Sequence, residues 1–340
     1  MGGGSNGRLR RSLLALCRAQ LDSVSFRRKL RAELLRALPF DAYCVNTADP
    51  ESLVVTSSIG DGLAPAEARR LFELEEQGDD FNHLAQLASG LEHVASIGQA
   101  TGHRPELSQR MRELFLPRGW NDELRAALVI DRRCWGYLHL FRSGRGFTSN
   151  ELSFVASVVP PLASALRRAC VGGLSAPARA AAPGVALLDP NGALAGENTA
   201  TRSWIEHFRG DVGGPTPHVL PALVARLRSG PAAARYRSPS GGWLALHASQ
   251  LQRGSSAVVL TAAQPSEVAS LVLLAHGLSA REREVARLLL QGLSNPAIAQ
   301  VLGIALFTVK DHVKAVLSKT GAASRAELAA RFSDFAFLRG

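Results

Sequence analysis

Lysine is scarce in this chain. Of its 39 basic residues, four are lysine: Lys29, Lys310, Lys314 and Lys319. Cysteine is sparse as well. Cys17, Cys44, Cys134 and Cys170 lie far apart with no CxxC pair, which argues against a disulfide framework or a structural zinc site. The nine histidines form no HxH or HxxxH pair, so metal-ligand spacing is missing. No strand–turn–helix stretch carries a phosphate-binding glycine loop or a G-x-S-x-G elbow, and no strand-end acidic pair marks a phosphoacceptor receiver near the start. Apolar runs are short: the best, Leu152–Leu166, holds serines and Pro160-Pro161, well below the ~18 residues a membrane helix needs. Met1–Asn6 is glycine-rich and leads into an arginine-rich amphipathic stretch, unlike a secretory signal. The expectation is a soluble, cytoplasmic protein with no catalytic residues, no metal site and no cofactor.

What is there is a folded chain with an uneven charge. The hydrophobic fraction is 46% and the charged fraction 20%, the balance of a globular protein. At 340 residues it should hold two or three domains. The formal net charge is +10, which favours an anionic partner. Residues 278–340 carry nine Lys/Arg against five Asp/Glu, a net +4 over 63 residues. Three of the four lysines fall within ten of those residues.

The stretch Asn295–Gly321, NPAIAQVLGIALFTVKDHVKAVLSKTG, reads as a short helix, a turn at Gly303 and a longer helix at about 306–320. At about 100° per residue, Val309, His312, Val313, Val316, Leu317 and Thr320 share one face. Phe307, Lys310, Asp311, Lys314 and Ser318 share the other. Ser279-x-x-Glu282 is a capping box opening an earlier helix, and Ser324-x-x-Glu327 opens a last one. Gly292 stops the first helix, while Ser294 caps the second with Pro296 in its first turn. Two short helices joined by a tight turn make a DNA-docking unit.

LSAREREVARLLLQGLSNPAIAQVLGIALFTVKDHVKAVLSKTGAASRAEL resembles the LuxR-type helix-turn-helix, also found in NarL-like regulators. The resemblance implies an all-α, four-helix domain whose helix 306–320 enters the major groove. It places Lys310, Asp311 and Lys314 toward base edges. Thr308, Ser294 and Asn295 then reach phosphates, and Lys319 joins the DNA-binding set. Four positions depart from the family pattern. Ala297 replaces a usual Glu, Ala305 a usual capping Ser, Ala322 a usual Val, and Asp311 adds an anion beside the lysines.

Upstream, residues 8–37 read as one amphipathic helix with a stripe including Leu13, Cys17, Leu30 and Leu34. That stripe suits packing on its own domain, a dimer seam, or both. Strands at 42–47 and 53–57 follow, then helical structure over 64–90, a hairpin of 126–130 with 135–141, and a closing helix from Thr148-x-x-Glu151 to about Val171. By the period of two, Trp135, Tyr137, His139 and Phe141 should share one face, either a ligand pocket or plain core. PFDAYCVNTADP and GFTSNE make this half resemble a GAF domain, a small-molecule sensor. GVALLDPNGALAGENTATRSW looks like the opening of a PAS domain. No internal repeat is visible.

The expected organisation is a multidomain α+β sensor followed by an all-α reader. Residues 1–171 form the GAF-like part, 172–183 a linker, 184–264 the PAS-like part, 265–277 a connector and 278–340 the helix-turn-helix. The expected function is sequence-specific DNA binding in transcription regulation, as a homodimer on double-stranded DNA. RNA polymerase and a small-molecule effector are candidate further partners. The alternative is a ligand-binding or enzymatic GAF/PAS protein whose C-terminal helices mediate protein–protein contacts.

Overall fold

The computed structural model describes residues 3–61, 64–171, 182–190, 193–206, 219–230, 232–237 and 242–332. The expected linker lies almost wholly outside them.

The chain opens with α1 (Gly3–Arg18) and α2 (Ser23–Ala37), two helices where the hydrophobic period suggests one. The break has a local cause. Asp22 adopts an extended conformation, and its carboxylate accepts the amides of Val24 and Ser25, starting a new helix. The apolar stripe is used within the chain: Leu13, Cys17, Phe26, Leu30 and Leu34 are all buried in the main core. These residues therefore do not form a dimer seam.

Next come β1 (Ala42–Ala48), β2 (Val55–Gly60), α3 (Pro65–Gln77), α4 (Leu84–Ser89), β3 (Val94–Ser96) and α5 (Ile97–Ala100). Short 3₁₀ and π turns span 105–118, followed by β4 (Asp122–Ile130), β5 (Arg133–Arg142) and α6 (Ser149–Val171). The helical stretch expected over 64–90 is divided into α3 and α4, because Gly78 ends α3 in the left-handed region at φ 79°. The five strands form one antiparallel sheet in the order β2-β1-β5-β4-β3. One face packs on α1, α2 and α6. The other is covered by α3, α4 and the turns at 105–118.

The central unit contains β6 (Gly184–Leu188), β7 (Leu194–Glu197), α7 (Thr199–Glu206), α8 (Val219–Arg226), β8 (Ala232–Arg237), β9 (Trp243–Gln250) and β10 (Ser256–Ala262). Its sheet runs β7-β6-β10-β9-β8. Counted within each unit, both sheets read second, first, fifth, fourth, third strand. The two halves thus repeat a topology that their sequences do not show. Helix α8 packs on α3 and β2 as well as on its own sheet, and Arg226 reaches Glu76 at 3.4 Å.

Five helices close the described chain. They are α9 (Pro265–Ala275), α10 (Ala280–Leu290), α11 (Asn295–Leu302), α12 (Leu306–Thr320) and α13 (Arg325–Arg331). Leu328 and Phe332 are each 1% exposed, so both pack into the core of the chain itself. Helix α9 packs on α6, and one continuous apolar cluster runs from α1 through the first sheet to α12. Among the described residues no helix is long and apolar enough to cross a membrane.

Candidate nucleic-acid interface

Helix α12 owes its position to the turns around it. Gly303 ends α11 at φ 60° and Gly321 ends α12 at φ 69°, conformations that favour glycine. Val309, Val313, Val316 and Thr320 are buried against α10, α11 and α13. Leu306, Phe307, Lys310, Asp311, Lys314 and Ser318 are exposed. The faces are those the helical period predicts. Ala305 stands at the N-cap and provides no side-chain hydrogen bond, as its missing hydroxyl dictates. Lys310, Asp311 and Lys314 make no side-chain hydrogen bond or ion pair among the described residues. Two cations and one anion therefore stand free on a solvent-facing surface. Thr308 is half-buried beside them.

The other expected DNA contacts are placed differently. Lys319 Nζ lies 2.8 and 2.7 Å from the two carboxylate oxygens of Glu282, so its charge ties α12 to α10. Asn295 Oδ1 accepts from Arg325, whose other arm donates to the Leu293 carbonyl at 3.2 Å. Ser294 Oγ accepts the Ala297 amide at 3.4 Å. Ala297 offers no carboxylate to complete a capping box there. By contrast, Ser279 and Glu282 complete theirs in both directions. The partners Glu282 and Arg325 belong to the site as supports, and nothing local in the sequence pairs them with positions 319 and 295.

The expected ligand face is divided. Trp135-Gly136 together oppose the single residue Leu128, because the β4–β5 register shifts between Ala127 and Val129. This bulge reverses the side-chain alternation. Trp135 therefore packs in the core shared with α6, away from Tyr137, His139 and Phe141. Gly136 is required there, since a Cβ would fall 2.0 Å from the Asn46 carbonyl.

His139 and Phe141 do line a cavity with about 680 Å³ of empty space including its mouth, between the sheet and α3. Its walls add Leu71, Phe72, Trp120, Tyr43, Asp61 and Glu75. Tyr137 instead borders a second space of about 560 Å³, which reaches Ala222 and Arg226 of α8. Phe72, Glu75 and Leu84 line both.

Beneath the first cavity lies a fully buried ionic cluster. Glu123 accepts from Arg125 Nε and Arg110 Nε, each at 2.8 Å, and His139 Nδ1 lies 3.0 Å from it. Burial alone would raise the Glu123 carboxyl, but Arg125 and Arg110 hold it well below the ordinary value. Burial lowers the His139 imidazole, outweighing Glu123, so the neutral ring donates from Nδ1. Burial also pushes the Cys17 and Cys134 thiols up to about 11 and Cys44 to about 12. These thiols stay protonated and poorly nucleophilic. Among the described residues no group of three His, Cys, Asp or Glu is arranged to hold a metal ion.

Residues 276–332 match the family described as "Bacterial regulatory proteins, luxR family". The chain is 57% identical over 51 residues to the "Putative HTH-type transcriptional regulator in exeN 3'region" of Aeromonas salmonicida, covering 15% of this chain and 26% of that one. It is 43% identical over 54 residues to the monoamine regulon transcriptional regulator of Klebsiella aerogenes, covering 16% and 24%. The chain thus spans about a quarter of the length of these curated relatives. Among solved structures, the ligand-binding domain of VqsR from Pseudomonas aeruginosa aligns with 50% of this chain and 99% of its own. That alignment has 17% identity and a TM-score of 0.36.

Proposed function

We propose that the chain is a LuxR-type, sequence-specific DNA-binding regulator of transcription, with α12 in the major groove and its activity modulated by the N-terminal units. The observation that carries this reading is the exposed face of α12. Lys310, Asp311 and Lys314 stand free there, inside the segment that matches the luxR family. Lysine donates to guanine O6 and N7, and Asp311 accepts from cytosine N4 while repelling phosphate. Thr308 reaches a phosphate beside them. Ser294 and Asn295 approach the backbone through the start of α11, with their side chains already engaged. Lys319 acts as a support.

The division into a GAF-like part (1–171), a linker (172–183), a PAS-like part (184–264), a connector (265–277) and a reader (278–340) belongs to the same reading. The shared strand order of the two sheets supports treating the halves as related sensor modules. The cavity bordered by His139 and Phe141 suits a small-molecule effector. One reading helix covers only a few base pairs, so specific binding calls for a homodimer on two half-sites. The surroundings are cytoplasmic, RNA polymerase is the downstream partner, and catalysis has no part.

Selection of bound duplexes from a random pool tests the reading. The full chain should enrich a sequence with two related half-sites and footprint both. Enrichment of no sequence would overturn it.

A further inference from the structure

Phe307 is 74% exposed. Among the described residues it is the single exposed Phe, Trp or Tyr; the others are buried or half-buried. It is the second residue of α12, and the N-terminal residues of a reading helix are those that meet base edges. Around the helix axis it lies about 20° from Lys314 and about 40° from Asp311, at 100° per residue. The apolar side of α12 is already filled by Val309, Val313 and Val316, and Phe307 points away from it. Leu306 and Val301, 41% and 60% exposed, are further exposed apolar side chains on either side of the Gly303 turn.

An apolar ring beside Lys314 on one side and Asp311 on the other, with Lys310 just beyond Lys314, is an odd surface for water and a suitable one for a DNA groove. The cations complement phosphate. The apolar feature that the major groove offers is the thymine 5-methyl group, which apolar side chains contact. We propose that Phe307 is a specificity-determining residue, its ring packed on the 5-methyl of a thymine in each half-site. The inference rests on α12 being the reading helix and adds to it the chemistry read at one position.

Replacing thymine by deoxyuridine removes that methyl and nothing else. The full-length chain is titrated on its selected duplex with each thymine replaced in turn. One position per half-site should weaken binding by roughly threefold to tenfold, the scale of one lost methyl contact. Phe307→Ala should bind thymine and uracil equally at that position, and Phe307→Leu should keep part of the difference. A Phe307→Ala chain as sensitive to uracil as the wild type overturns the proposal. So does selective binding by the wild type with no uracil effect anywhere, which leaves α12 as the reader intact. If the wild type prefers no duplex over a scrambled one, the reading-helix premise itself falls, and this proposal with it. A variant that binds DNA unchanged but loses self-association in light scattering makes the ring a protein contact instead, and equally overturns it.

Discussion

Lys319 and Lys314 sit on the same helix with opposite assignments. Lys314 is free, whereas Lys319 bridges both oxygens of Glu282. Burial alone would raise the Glu282 carboxyl; the bonds from Lys319 and Ser279 outweigh it and hold it below its ordinary 4.5. A carboxyl lowered in the folded state contributes stability that is complete above its unfolded value. That contribution is lost as pH falls through the folded one. Lys319→Ala should therefore lower stability by on the order of 1 kcal/mol at neutral pH, allowing for the water that reaches Lys319. The deficit should shrink below about pH 4. Denaturant titration at both pH values, beside a duplex titration that changes by less than about threefold, checks this. A large loss of DNA affinity at unchanged stability would return Lys319 to the interface. Asn295 teaches the same lesson. Its partner Arg325 lies 30 residues away, and one sequence shows no such pairing.

At the scale of elements, the weak start of α12 is a specific liability. Ala305 leaves its first amides without a side-chain acceptor. Ala305→Ser supplies a hydroxyl that can accept from the Thr308 amide. It should stabilise the protein by about 1 kcal/mol, read as a higher denaturation midpoint at unchanged duplex preference. No gain would mean the first turn is held by other means. Features of this kind were legible because caps, glycine stops and helical faces are local. The boundaries of α10 to α13 and the burial of Val309, Val313 and Val316 follow from them. What escaped was set at a distance. The Trp135-Gly136 bulge depends on pairing with Leu128 across the hairpin. Strand β3 has three residues, too few for a period. The break at Asp22 has a different reason: the apolar stripe continues across it and masks a capping residue that is itself local.

For the whole molecule, three units meet at Arg235 of β8. Its amide and guanidinium bind Asp49 at 2.8 to 2.9 Å, and Glu51 lies 2.9 Å away. The same guanidinium donates to the Glu267 carbonyl and to Ser270 on α9, the helix that leads into α10. Asp49 follows β1, an interior strand of the sheet that bears the cavity. The first sheet, the second sheet and the approach to the C-terminal helices thus share one side chain, although Asp49 and Arg235 are 186 residues apart. The two cavities share Phe72, Glu75 and Leu84 on the same side of the molecule. In the proposed reading this arrangement links the sensor units to the reader, and that reading depends on α12 contacting DNA. Lys314→Ala tests that most directly. Full-length wild type and variant are titrated on the selected duplex and on a scrambled one, at one fixed salt concentration because phosphate contacts make affinity salt-dependent. The account predicts a loss of roughly tenfold or more on the selected duplex, the scale of one base contact, with a much smaller change on the scrambled one. Unchanged binding to the selected duplex, with Lys310→Ala equally silent, would contradict it.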